Sequence, residues 1–257
     1  MLGLLSIVLA SAAAVLIAQQ RFYGRNADIA STRNAARLAA DVLTTELRSV
    51  NASGGDIYGI GPDSVALRST TGIGVICSAS GHTVALRRVT GTFGELETDS
   101  AFVFVENSLR QAVDDSLVVV RIRESRPGTA APCPDGVPAD VSLGFDRDVP
   151  GVSLGSPVRA FRPYVYKLYA GQGGKWWFGQ RLRGGRIQPI AGPFAPPSEG
   201  GLRLEYRSPA GVPTDEPLQV AHVDMAMLAL GRLRYPWRGL KEAYSDSVST
   251  AVTPRGR

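Results

Sequence analysis

The residues able to do chemistry are few and scattered. Gly151-Val-Ser-Leu-Gly155 satisfies the G-x-S-x-G pattern of a nucleophile elbow, in which a strand enters and a helix leaves the turn exposing the serine. Here Asp148-Val-Pro precedes it, and Pro157 biases Ser156 away from helical angles, so the context the chemistry needs is missing. His82 and His222 are the only histidines. Neither has a second ligand at a spacing such as H-x-x-x-H, and both read as residues in or beside strands. Gly171-Gln-Gly-Gly-Lys175 has the composition of a phosphate loop but lacks its earlier glycine and the Ser/Thr after the lysine. Asp114-Asp115 and Asp146-Arg-Asp148 could donate oxygens to calcium or be solvated turn carboxylates. Trp176-Trp177-Phe178, with Tyr164, Tyr166 and Tyr169, is a binding face or a core with a cover, since adjacent strand residues point to opposite sides. No catalytic, cofactor-binding or metal-ligating residue is assigned; calcium is the one cofactor left open.

Behind these residues the chain changes period at Gly55. Downstream, short alternating runs read as strands: Ser64–Arg68, Ile73–Cys77 and Thr83–Arg87, separated by Gly/Ser/Thr turns. Ala101–Val105 and Ser116–Arg123 are the strongest, with Asn107–Asp115 a turn or single helical turn between them. Gly128–Pro157 reads as a proline-rich loop. Tyr164–Tyr169 and Lys175–Arg183 begin a meander, and Gly184-Gly185 predicts a two-residue hairpin turn before Arg186–Ile190. Pro189 marks that run as an edge, and Ala191–Pro197 reads as a rigid connector. Gly201–Tyr206 and Leu218–Leu230 add two strands, the second long enough to be bent. The net charge of +5 is spread among acids, with no tail or stripe that reads as a nucleic-acid footprint.

Upstream, Met1 to Ala18 carries neither charge nor proline. The helical pattern continues past Arg21: Phe22, Ile29, Ala36, Leu43 and Val50 recur every seven residues, with Ala39, Ala40 and Leu47 beside them. Asn34, Asp41 and Arg48 form a polar row, and Gly24 is the one weak point. Paired glycines in Asn51-Ala-Ser-Gly-Gly-Asp56 end the pattern. Such a helix is about 70 Å long. Its first eighteen residues reach about 27 Å, just short of a hydrocarbon core of roughly 30 Å. Arg21 and Arg25 follow that segment and no basic residue precedes it, which by charge alone would put the large domain in the cytoplasm.

A continuous helix, lipid-compatible at its start and amphipathic at its end, followed by β structure, resembles type IV pilin-like proteins. Leu4-Leu-Ser-Ile-Val8, Gln19–Tyr23, Ala35–Leu43 and Glu46-Leu-Arg48 are similar to minor pilins and pseudopilins of the J and W types, and Asp246–Val252 resembles their final strand. The family's basic leader, and the phenylalanine and glutamate that open its helix, are not in the printed chain. The expectation is therefore that Met1 lies inside the mature helix.

The resemblance implies an α+β fold, with a long N-terminal helix (1–50) packed on a mainly antiparallel sheet domain (51–257). Residues 1–18 would serve membrane and filament core, and 19–50 would be amphipathic. It implies a subunit of a type IV pilus or type II secretion pseudopilus, not an enzyme. Its partners would be other such subunits and the bacterial inner membrane, with the C-terminal domain periplasmic, or extracellular in a pilus. Leu4, Leu5, Ile7, Val8, Val15, Leu16 and Ile17 would bury in lipid and then among neighbouring helices. Ile29, Ala36, Leu43 and Leu47 would dock the helix to its own sheet. Some pseudopilins bind calcium in loops, which bears on the aspartates above. Outside the cytoplasm the two cysteines, Cys77 and Cys133, would form one disulfide worth roughly 3–4 kcal/mol; in the cytosol they would be free thiols. Two other readings stay open: a DNA- or surface-binding pilin, and a membrane-anchored or secreted enzyme.

Overall fold

Helix α1 (Leu2–Ser49) runs unbroken through Gly24, where a Cβ would meet nothing, so the glycine makes no bend. At 48 residues it is about 72 Å long. The structure is a computed structural model that describes residues 2–106, 115–128, 133–182, 184–237 and 240–255, and of residues 2–8, 172, 233–237 and 240–242 the backbone alone. Among the described residues, no helix is long and apolar enough to cross a membrane. The expected span, 1–18, includes eight residues whose side chains lie outside that set.

Among the described residues twelve strands form one antiparallel sheet, making the chain α+β. They are β1 (Ile57–Gly61), β2 (Ser64–Ser80), β3 (Thr83–Gly91), β4 (Ser100–Val105), β5 (Ser116–Pro127), β6 (Val141–Phe145), β7 (Pro157–Ala170), β8 (Trp176–Leu182), β9 (Ile187–Phe194), β10 (Leu202–Arg207), β11 (His222–Trp237) and β12 (Leu240–Val252).

Two of these strands are long enough to serve two layers at once. The first part of β2 and the last part of β7 lie in a sheet with β1, β8, β9, β11, β10 and β12, and α1 packs on it. The second part of β2 pairs with β3, which continues through β6, β5 and β4 back to the first part of β7. Because β7 also pairs with β2, these six strands close on themselves as a small barrel. Each part has its own apolar interior. Leu43, Leu47, Leu67, Tyr166, Phe178, Phe194 and Met227 fill the first; Ile76, Leu86, Val103, Ile122, Leu143 and Val158 fill the second. The β2 corner between them depends on glycine. A Cβ on Gly72 would lie 2.6 Å from the Thr92 carbonyl oxygen, and one on Gly91 2.2 Å from that of Thr71.

Several expectations from the sequence are corrected. Ser64–Arg68 and Ile73–Cys77 are one strand, its pairing with β7 shifted at Thr70/Gly72 rather than broken by a turn. The stretch 128–157 contains β6, a five-residue strand paired on both sides, too short to stand out by alternation and interrupted by Gly144. Ala191–Phe194 is not a connector but the end of β9, with a cis bond at Gly192-Pro193. After Leu182 the turn is longer than two residues: Arg181 pairs with Ile187, and only Gly184 of the glycine pair has positive φ. Asn107–Asp114 lies outside the described residues.

Candidate functional site

The side of α1 that meets the sheet is built from small residues. Ala36, Leu43 and Leu47 are fully buried and Ile29 is half-buried, as the seven-residue spacing predicts. Ala35, Ala39 and Ala40 are also buried, so the helix backbone comes close to β11, β12 and β9. Asn34, Asp41 and Arg48 are exposed on the opposite face. Two polar residues on the docking face were not singled out from the sequence. Asp28 and Thr32 are both buried. Asp28 Oδ1 accepts the Arg232 N–H at 2.8 Å, and the Thr32 hydroxyl donates to the Asp28 carbonyl at 2.8 Å. Arg232 lies where the β11–β12 pairing shifts between Leu230 and Arg234, so the carboxylate satisfies an N–H that the ladder leaves over. Gly231 makes room for it: a Cβ there would lie 2.6 Å from Asp28 Oδ2. The available signal was the spacing of Asp28, Thr32, Ala35 and Ala39 along one face.

Toward the N-terminus the same helix is bare. Val15, Leu16 and Ile17 are 56%, 58% and 49% exposed, and Leu9, Phe22 and Tyr23 are exposed too. Phe22 belongs to the seven-residue row by sequence but does not dock, while Asp28 already reaches the bulge in β11. The side chains of Leu4, Leu5, Ile7 and Val8 lie outside the described residues.

Three arginines tie the barrel to the helix-backed sheet, and none of them stood out in the sequence. Arg159 on β7 binds both oxygens of Asp56 at 2.6 Å. Asp56 is completely buried, precedes β1 and also accepts the Asn51 N–H at 2.8 Å just past the end of α1. Arg162 binds both oxygens of buried Asp99, at 2.7 and 2.9 Å, and hydrogen bonding to that carboxylate pushes its pKa further up. Arg68 donates to the Gly55 carbonyl and lies near the rings of Tyr58, Phe102 and Phe161. Arg159 and Asp56 are 103 positions apart and Arg162 and Asp99 are 63 apart, separations that no local pattern announces.

Cys77 and Cys133 form a disulfide, with Cα atoms 5.3 Å apart, pinning the stretch after residue 132 onto β2 and β3. Arg87 donates to Asp135 beside it at 2.7 Å and holds that carboxyl below its usual range.

The other motifs do not converge. Gly151–Gly155 forms turns and leads into strand β7, with no helix after the serine. His82 lies 3.8 Å from Asp148, and His222 Nδ1 is 3.0 Å from the Thr253 hydroxyl. Asp146 accepts the Arg121 N–H at 3.0 Å, and Asp114 is outside the described residues. Among the described residues no group of three His, Cys, Asp or Glu side chains is placed to hold a metal. Phe178 is fully buried and both tryptophans are half-buried. Trp177 lies against Gly171 and Gly192, where a Cβ would come within 2.6 and 2.8 Å of its ring; the cover is made by glycine backbone. Comparison with protein-family models, with curated proteins and with solved structures finds no match to this chain.

Proposed function

We propose that this chain is a pilin-like subunit, a minor pilin or pseudopilin of a type IV pilus or type II secretion pseudopilus, that works by assembly through α1. Before assembly the apolar end of α1 holds it in the bacterial inner membrane with the β-rich domain on the periplasmic side. One observation carries the reading: a single helix is sealed into its own sheet from Asp28 onward and leaves a row of large apolar side chains uncovered before it. Burying a Leu, Ile, Val or Phe side chain is worth about 1.5–3 kcal/mol, so Leu9, Val15, Leu16, Ile17 and Phe22 together represent on the order of 10 kcal/mol. Lipid supplies that cover first and neighbouring helices supply it later. Small residues Ser11 to Ala14 allow close helix approach. The disulfide fits an oxidising compartment for the domain.

The test compares the full chain with V15D/I17D. The unaltered chain should float with vesicles of phosphatidylethanolamine and phosphatidylglycerol. With cysteine introduced at Leu16, it should also crosslink to other copies or pilin-like subunits in cells. V15D/I17D should do neither while keeping the domain's thermal midpoint. A full chain that stays monomeric and off vesicles without detergent removes the proposal.

A further inference from the structure

Among the described residues β12 pairs with β11 alone, so its other side is an edge of the helix-backed sheet. The ladder decides which residues face that edge, because backbone groups of successive strand residues point alternately to one neighbour and the other. Leu228 gives its N–H to the Gly201 carbonyl and its carbonyl to the Ala195 N–H, both on the side away from β12. Val223, Met225, Met227 and Ala229 therefore face β12, which answers with Val252, Thr250, Val248 and Asp246. The residues between, Ser245, Ser247, Ser249 and Ala251, turn their N–H and C=O groups outward, and all four are exposed. Among the described residues those outward groups have no hydrogen-bond partner. The Arg255 N–H points the same way and donates to the Val50 carbonyl at 2.8 Å, so the chain itself occupies the far end of this edge. Exposed edges are ordinarily blunted by lysine, proline, a bulge or a covering element. From 245 to 252 there is no lysine or proline, the pairing with β11 is regular, and the one charge, Asp246, lies 3.8 Å from Arg33.

One flank of α1 runs along the same strand. Arg33 Nε donates to the Tyr244 hydroxyl at 3.2 Å, and Val50 meets Arg255, so α1 and β12 are parallel. Arg37 stands one helical turn past Arg33 on that flank, about 6 Å further on, which is about two residues of strand. It is exposed, and among the described residues it makes no ion pair or hydrogen bond. We propose that β12 accepts an extended segment of a partner protein as an added strand along 245–251, with a carboxylate of that segment paired to Arg37. Strand addition takes its affinity from main-chain hydrogen bonds and its specificity from alternate side chains. The serines and alanine on the exposed face discriminate little, so the charge at Arg37 sets the preference. A second copy of β12 does not supply the acid, since its one carboxylate between 245 and 252 is already engaged by Arg33. The site uses β12 and the docked part of α1, so it stands or falls apart from the assembly reading.

The experiment titrates the full chain, in a non-ionic detergent, into the labelled peptide fluoresceinyl-Thr-Val-Thr-Glu-Thr-Val-Thr-amide and reads fluorescence anisotropy. One counterpart carries lysine for the glutamate, and another carries proline for both valines and cannot form the ladder. The glutamate peptide should bind saturably at one site, the lysine peptide about three- to tenfold more weakly, and the proline peptide not at all. R37E should reverse the preference between the first two. S249P removes one outward N–H at an edge position where proline is tolerated, so binding should be lost with the thermal midpoint unchanged. Arg37 packs against nothing that its replacement would disturb, so R37E carries the test should S249P lower the midpoint. Sedimentation of the chain without peptide completes it. Absence of saturable binding by the glutamate peptide, equal binding of all three peptides, or a preference indifferent to R37E overturns the proposal. Self-association that S249P abolishes also overturns it, by assigning the edge to a second copy.

Discussion

Replacing Arg159 by methionine isolates the contact on which the joint between barrel and sheet depends. Asp56 is 0% exposed, and its carboxylate is held by two guanidinium bonds of 2.6 Å and the Asn51 N–H at 2.8 Å. Methionine keeps an apolar stem beside Phe102 but leaves the carboxylate with one backbone donor. Removing one partner of a buried ion pair costs about 3–5 kcal/mol. Arg159 is a quarter exposed, so water can partly replace it, and the lower end, about 3 kcal/mol, is expected. Against a total stability of about 5–15 kcal/mol that is a large share. Asp56→Asn removes the charge while its amide oxygen can still accept from Asn51, at a cost of about 1–3 kcal/mol. The double variant D56N/R159M contains no stranded charge, so it should cost less than the sum of the single changes, with a coupling of about 2 kcal/mol. The measurement is urea denaturation followed by tryptophan fluorescence and by far-UV circular dichroism. All three tryptophans lie outside the barrel, two on β8 and one at the end of β11. Coincidence of the two signals therefore reports whether both parts unfold together. If R159M costs under about 1 kcal/mol, or the two changes simply add, the buried pair is not what joins the two parts.

Other outcomes follow from the same structure. Replacing both Cys77 and Cys133 by alanine opens a crosslink spanning 56 positions and should cost about 4 kcal/mol, read as a fall in urea midpoint equal to that produced by reductant. Leu43→Ala and Leu47→Ala, both at fully buried sites, should each cost about 2–5 kcal/mol, while Asn34→Ala on the exposed face should stay within about 0.5 kcal/mol in the same denaturation assay. Burial, and after it the charge of Glu46, raises the pKa of Tyr166; burial likewise raises that of Tyr206, whose hydroxyl donates to the Ser64 carbonyl. A phenol that stays protonated longer when folded contributes stability below the unfolded value of about 10, and that contribution is lost as pH climbs above it. Alkaline unfolding should therefore begin above about pH 10, with part of the tyrosinate absorbance appearing only on unfolding and the onset moving upward in Tyr166→Phe.

What could be read from residues alone was local and periodic. The 3.6-residue repeat marked α1, its stop at the paired glycines and its docking positions at Ala36, Leu43 and Leu47. Alternation located most strands, because a strand with one buried face writes that face into every second residue. The two cysteines allowed one disulfide or two free thiols, and the structure has the disulfide. Closure of six strands into a barrel left no such mark. It depends on β2 and β7 each pairing with different neighbours along their length, and pairing partners are not encoded in the period of a strand. The same holds for Asp56 with Arg159 and for Asp28 with the Arg232 N–H. Each charge looks like an ordinary surface residue in the sequence. Its burial and its partner exist only once distant segments are brought together, since the free energy of a buried charge is set by what surrounds it in space.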